Sequence, residues 1–389
     1  MSRCDRQPVT SLYVHVPFCA RKCDYCAFYS EAVKGEVVDR YVAALIREME
    51  LVAGDANPRT VFFGGGTPSL LNLRQWERVL NAMDRLSLRG AVEWTVECNP
   101  ATVSLDKAKV LRSGGVNRVS LGVQSLQEDL LDRLGRVHSR AMVFRSFDIL
   151  RQAGFDNLNI DLMFAIPGQT MSDWKETLRE ALALESEHLS CYEVIYEEDT
   201  PLFAQLRAGE FDIDEGLACA MYDELLDSAA SRGLIQYEVA NFARHRSSEA
   251  ADVPDHACGH NVNYWRGGFF HGLGPSATSY VRGLRTKNWS NTTLYCERLE
   301  RGARAIESAE ELPPLARAGE TAAFGLRMNA GWPFEQFHCV TGYDLRREWF
   351  VEMNQLADQG WGRIEADGFR LTRQGLRFAD AAAGQFLRP

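Results

Sequence analysis

The sequence predicts an α/β fold: a partial, open (β/α)6 barrel followed by a small C-terminal helical, winged-helix-like domain. Three observations predict it. Short β-rich runs alternate with helical stripes through the first two-thirds of the chain. Cysteine, glycine and polar residues gather at the ends of those runs. From about Glu300 the pattern changes to helices and a hairpin signal. The chain has 389 residues, enough for a large core plus an appended domain. Its net charge of −10 leaves no surplus of Lys and Arg to neutralise phosphates, which disfavours nucleic acid as a partner. No apolar run approaches the roughly 18 residues of a membrane span. The start, Met-Ser-Arg-Cys-Asp-Arg-Gln-Pro, lacks an apolar secretory stretch, and 10 cysteines are too dilute for a disulfide scaffold. A cytoplasmic protein is expected, with room for docking at the periphery of a membrane.

After a short arm, 1–10, the barrel region is expected over 11–299 and the C-terminal domain over 300–389. The expected strands are Leu12–Val16, Thr60–Phe63, Glu93–Glu97, Arg118–Val123, Leu158–Phe164 and His188–Ile195. Val38, Tyr41, Val42, Leu45, Ile46 and Met49 recur at helical spacing between the first two strands. Trp76, Val79, Leu80 and Met83 do the same before the third. Six such units are too few for a closed eight-stranded barrel, so an open one is expected. His245 to Pro254 is polar and reads as a surface loop. In the C-terminal part, helices are expected over 320–328, 345–359 and 379–386. Asp367-Gly368, between Trp361–Ile364 and Phe369–Thr372, signals a hairpin. Asp344, Glu348, Glu352 and Asp358 dilute the arginines of the preceding helix, so no DNA-binding stripe forms.

The chemistry sits at strand ends, where α/β barrels build their sites. Cys19, Cys23 and Cys26 follow the first strand at C-x3-C-x2-C spacing. Three thiolates in one loop suit a cubane iron–sulfur cluster with one iron left open, since such a cluster takes four ligands when fully coordinated. Zinc would need a fourth ligand, and only His15 and Cys4 lie close in sequence. Gly64-Gly65-Gly66-Thr67-Pro68 follows the second strand. It is either a tight turn or a place where backbone approaches a ligand. Glu97 ends the third strand and Gln124 the fourth. Asp161 lies inside the fifth among apolar neighbours, and a carboxylate there requires donors. Arg136 is either an exposed helix residue or a carboxylate clamp.

These motifs together resemble one branch of the radical S-adenosylmethionine (SAM) superfamily. The matching stretches are Tyr-Val-His-Val-Pro-Phe-Cys, Gly-Gly-Gly-Thr-Pro-Ser, Glu-Cys-Asn-Pro, Ser-Leu-Gly-Val-Gln-Ser and Ile-Asp-Leu-Met-Phe-Ala-Ile-Pro-Gly-Gln-Thr. The resemblance continues through Tyr-Glu-Val-Ala-Asn-Phe-Ala-Arg and His-Asn-Val-Asn-Tyr-Trp and covers nearly the whole chain. The branch contains oxygen-independent coproporphyrinogen III oxidase and the HemW-type haem chaperones. It implies a 4Fe–4S cluster on Cys19, Cys23 and Cys26 that delivers an electron to SAM. It also implies SAM contacts from Tyr13, Tyr25, Gly65, Gly66, Thr67, Glu97, Gln124, Arg136 and Asp161.

Within the branch, the oxidase carries a fourth cysteine where this chain has Phe28, and an N-terminal extension where this chain has twelve residues before Tyr13. Both departures resemble the chaperones. So does His260-Asn261-Val262-Asn263-Tyr264-Trp265, which matches their HNxxYW run. The resemblance therefore implies haem as a third cofactor and client haemoproteins as partners, membrane-bound respiratory enzymes among the candidates. Coproporphyrinogen decarboxylation is the alternative activity, and another radical reaction on a tetrapyrrole a third. His260 is the candidate haem ligand; a buried structural histidine bonded through both nitrogens is the competing reading. His256 and Cys258 alternate with it and are further metal candidates. His138 is expected to be structural.

Overall fold

The computed structural model describes residues 9–32, 35–246 and 253–388. The arm up to Pro8, Cys4 in it, and 247–252 of the expected surface loop lie outside the described residues. The six expected strands form as β1 (Val9–Val16), β2 (Ala56–Gly65), β3 (Glu93–Cys98), β4 (Arg118–Gln124), β5 (Leu158–Phe164) and β6 (His188–Glu193). Neighbours pair in parallel, in chain order. Crossover helices separate them: α1 (Gly35–Val52), α2 (Leu73–Arg85), α3 (Leu105–Ser113), α4 (Glu128–Arg133) with α5 (Arg140–Gln152), and α6 (Met171–Ala183). Local chemistry fixes the helix starts. Asn72 with Gln75, and Thr170 with Asp173, make reciprocal capping boxes that satisfy the first free backbone amides of α2 and α6.

The sheet is larger than six strands. Beyond β6 come α7 (Pro201–Arg207), α8 (Glu215–Ser231), β7 (Leu234–Gln236), β8 (Asn241–Arg244) and α9 (Gly259–Trp265). There follow β9 (Phe270–Leu273), β10 (Thr278–Val281), β11 (Leu284–Asn288), α10 (Thr292–Glu300) and β12 (Ile306–Glu311). The 12-stranded order is β12-β11-β10-β9-β1-β2-β3-β4-β5-β6-β8-β7. β9 adds a seventh parallel strand beside β1, hidden in the sequence by Gly272 and Gly274. The edges β12 and β7 do not pair with each other, so the barrel stays open.

Val38, Tyr41, Leu45 and Met49 of α1, Trp76 and Met83 of α2, and Trp174 of α6 pack with Val61, Phe63, Trp94, Leu121 and Ile160 into one apolar core. Buried Glu48 of α1 reaches the added strands. It accepts from Gly274 N at 2.8 Å, Asn288 Nδ2 at 2.7 Å and Tyr295 Oη at 2.6 Å. A second core joins Ala322, Trp332, Phe337, Trp349, Leu356, Phe369 and Phe386. β12 still belongs to the large sheet, so this second core begins later than the expected boundary at 300.

Two expectations for the C-terminal part shift. The helix expected over 320–328 runs over Pro314–Gly325 (α11), because Pro314 suits its first turn. The one expected over 345–359 is split into Leu345–Glu348 and Phe350–Asp358, since Trp349 leaves helical geometry at φ −123°. The hairpin forms from Gly362–Ile364 and Gly368–Leu371, and Trp332–Pro333 adds a third strand.

Candidate functional site

Strand alternation opens the barrel's inner face at chosen points. Along β5 every residue is buried except Asp161, which is half-exposed. Along β3 the half-exposed positions are Glu93 and Glu97, and along β4 they are Gly122 and Gln124. Tyr13, Tyr25, Gly65, Gly66, Thr67, Arg136 and the three loop cysteines share that intermediate exposure. The expected site residues thus share partial exposure, and Gly65, Glu97 and Gln124 stand at or next to the C-terminal ends of their strands. Phe28, two residues after Cys26, is 69% exposed.

The cysteine loop is braced from both sides. Asp24 N donates to Leu134 O at 3.0 Å, and Leu202 N donates to Asp24 O at 2.9 Å. Arg136 donates through Nη2 to Gly122 O at 2.7 Å and through Nη1 to Cys23 Sγ at 3.3 Å. It therefore ties the loop to the end of β4 and sets a positive charge against a thiol. Thr67 Oγ1 lies 3.7 Å from Cys19 Sγ. Burial raises the thiol pKa of Cys19 and of Cys26.

The glycine run has a packing reason. Gly66 N donates to Val16 O at 2.8 Å and Thr67 N to Phe18 O at 2.7 Å, extending β2 along the cysteine loop. A Cβ on Gly66 would stand 2.7 Å from both Val16 O and Phe18 O. Gly65 has φ +100°, and a side chain there would strike the His15 ring. His15 Nε2 donates to Tyr29 O at 2.8 Å and its Nδ1 accepts from Tyr13 Oη at 3.1 Å. Gln124 holds φ +66°, a left-handed conformation at the end of β4 that sequence alone did not signal.

Two carboxylates face the interior. Glu97 accepts a backbone hydrogen bond from Gly65 N at 3.2 Å. Burial, reinforced by Asp161, pushes its pKa up to about 8. Asp161 accepts from Ser120 Oγ at 2.8 Å and Asn159 Nδ2 at 2.7 Å; burial raises its pKa against those bonds and Arg118. Arg118, fully buried, is the interior cation that sequence reasoning missed. Its signal was a lone charge at the start of an apolar strand.

His260 lies next to Tyr13. It is buried under the barrel floor, with Nδ1 3.0 Å from Thr60 Oγ1 and Nε2 2.7 Å from Tyr264 Oη. Its ring stacks on Phe62 at 5.2 Å and lies 6.4 Å from that of Tyr13. Burial, then Arg118, pushes its pKa down to about 3, so it is neutral. Both ring nitrogens are engaged, so ligating iron from this position would require giving up Thr60 or Tyr264. His256 and Cys258 do not join it: His256 Nε2 accepts from Arg246 Nε at 3.0 Å, and Cys258 Sγ points to Glu93 at 3.7 Å. His138 is buried against Val123 O at 3.0 Å, a structural place.

Among the described residues no three His, Cys, Asp or Glu side chains converge as ligands of a single ion. A cubane takes one thiolate per iron, and Cys19, Cys23 and Cys26 lie partly exposed in one loop with Arg136 donating to Cys23 Sγ at 3.3 Å. Glu97, with a single backbone donor, offers an acceptor for an ammonium, and Asp161 one for hydroxyls. The residues present fit a cluster with SAM beside it.

Residues 13–181 match the Radical SAM superfamily, and residues 312–378 match the HemN C-terminal domain. The chain is 32% identical over 383 residues to Heme chaperone HemW of Bacillus subtilis (strain 168), covering 97% of this chain and 99% of that protein. It belongs to the HemW family. Heme chaperone HemW of Escherichia coli (strain K12) is 32% identical over 392 residues, covering 98% of each chain. A HemW-family chain is a radical SAM protein, which implies a 4Fe–4S cluster and SAM. The structure of coproporphyrinogen III oxidase (HemN) from Escherichia coli, a radical SAM enzyme, superposes with a TM-score of 0.82 at 22% identity, over 98% of this chain and 90% of that one. That likeness is one of fold.

Proposed function

We propose that this chain is a haem chaperone: it binds haem and delivers it to client haemoproteins, from a radical SAM scaffold. Cys19, Cys23 and Cys26 would hold the cluster. Tyr13, Tyr25, Gly65, Gly66, Thr67, Glu97, Gln124, Arg136 and Asp161 would hold SAM. When bound, the cluster supplies an electron to SAM. The chain's own residues orient and charge-balance: Arg136 faces Cys23, Glu97 takes the ammonium, and Asp161 takes the ribose hydroxyls. What supports this is the partial exposure these positions share, together with Arg136, which ties Cys23 to Gly122 near the end of β4. Near-full-length similarity to proteins named Heme chaperone HemW supports the haem half of the reading. So does Phe28, an exposed ring that offers no fourth thiolate. Among the described residues no helix is long and apolar enough to cross a membrane. A cytoplasmic chaperone meeting membrane-bound respiratory clients at the membrane surface belongs to the same proposal. His260 remains the haem candidate in the motif, acting after release from Thr60 or Tyr264. The test is anaerobic reconstitution, followed by assays of one sample for SAM cleavage, coproporphyrinogen decarboxylation and haem binding. The proposal expects haem binding without decarboxylation; decarboxylated product overturns it.

A further inference from the structure

An unbroken line of buried polar groups crosses the barrel interior below Asp161. Asn159 Nδ2 lies 2.7 Å from Asp161 Oδ1 and 2.7 Å from Ser120 Oγ. Asn159 Oδ1 lies 2.6 Å from His188 Nδ1, and His188 Nε2 lies 2.8 Å from Tyr237 Oη. Tyr237 Oη in turn accepts from Cys258 N at 3.1 Å. Cys258 is the residue on which α9 starts, and α9 carries His260 and Tyr264. Asn159, His188 and Tyr237 are all buried.

Hydrogen-bonding capacity gives this line one direction. A carboxylate accepts only, so the Asn159 amide nitrogen faces Asp161 and its oxygen faces His188. That oxygen accepts, so His188 carries its proton on Nδ1. Burial and the neighbouring Arg118 and His256 push the His188 pKa well down, leaving the ring neutral. Its Nε2 therefore accepts from the Tyr237 hydroxyl. Every donor points toward Asp161, from the amide of Cys258, the residue that caps α9, to the carboxylate.

We propose that Asn159, His188 and Tyr237 are positioning residues that hold Asp161 as an oriented acceptor for SAM and tie that carboxylate to the start of the His260 helix. The proposal rests on the assignment of Asp161 to SAM. It has a reciprocal consequence: a ligand that tightens Asp161 tightens the far end of the chain. The need for direction explains why a histidine, with one donor and one acceptor, stands at 188.

The test measures SAM affinity by anaerobic calorimetry on the reconstituted full chain, in a double-mutant cycle. Tyr237→Phe should weaken SAM about three- to tenfold, the worth of one buried hydrogen bond. In the Asp161→Asn background the same change should cost nothing further, because Tyr237 acts through Asp161. Iron content and Tm check that each variant is folded. Should Tyr237→Phe not fold, His188→Gln, which keeps a donor and an acceptor, should bind SAM better than His188→Leu. SAM should also slow amide exchange over 258–265 in the wild type and not in Tyr237→Phe. An equal loss in both backgrounds, or unchanged affinity in Tyr237→Phe, overturns the positioning role alone. Exchange indifferent to bound SAM overturns the tie to the helix. A wild type that binds no SAM overturns this proposal together with the reading of the site.

Discussion

Asp161 is the half-exposed residue in a strand otherwise buried end to end. Its donors, Ser120 and Asn159, are held by the interior rather than by solvent. Replacing it by Ala should leave iron content intact and weaken SAM binding at least about tenfold, since a charge-assisted hydrogen bond is worth roughly 1.5–3 kcal/mol. Isothermal titration of the reconstituted variant checks this. Glu97 makes a pH prediction. Its folded pKa of about 8 lies above the ordinary carboxylate value, so the folded chain keeps a proton that the unfolded chain gives up. Stability from this group is full below the unfolded value and is lost as pH rises toward 8. In the SAM-free protein, Glu97→Gln should flatten the decline of Tm between pH 5 and pH 8, read by calorimetry. Some of this was legible in the sequence: the three cysteines, Glu97 and Gln124 stand at or just after strand ends, where a barrel rule places them, and Asp161 stands out inside an apolar strand. His188 and Arg118 were not, because a polar residue in an apolar strand looks the same whether it faces a site or a structural partner. His260 was read two ways, and its contacts with Thr60 and Tyr264 match the buried one.

Elements carry the next set of constraints. The cysteine loop depends on β2 running alongside it through Gly66 and Thr67. Gly66→Ala forces a Cβ against two backbone oxygens, neither of which is a flexible side-chain end. It should cost about 1–3 kcal/mol and lower the iron retained after reconstitution, measured by iron and sulfide assay on desalted protein. The helix α9 closes the barrel floor because Glu93 accepts from Gly259 N at 2.8 Å and His260 N at 3.1 Å. Sequence periodicity found β1 to β6 to within a few residues because each is an apolar run between helical stripes. It missed β9, where Gly272 breaks the run, and it fused the two helices around Trp349, where the apolar stripe continues through a backbone kink.

At the scale of the whole molecule, an open sheet carries the candidate site at its mouth, and a second core is built from the residues after β12. The fold is shared with an oxidase, so fold alone does not choose the activity. Cluster content is set by one loop: about four irons and four sulfides per chain are expected. Each of Cys19→Ala, Cys23→Ala and Cys26→Ala should abolish the cluster absorption band, whereas Cys98, Cys191 and Cys339 should be dispensable. The choice of activity rests on haem. The most direct measurement loads the reconstituted chain with haem, removes the excess by gel filtration, and follows the Soret band on mixing with an apo-haemoprotein. The account predicts haem retained through the column and then transferred, with the client's spectrum appearing as the chaperone's fades. Protein that emerges without haem, or that keeps it in the presence of every apo-haemoprotein offered, would contradict the chaperone reading.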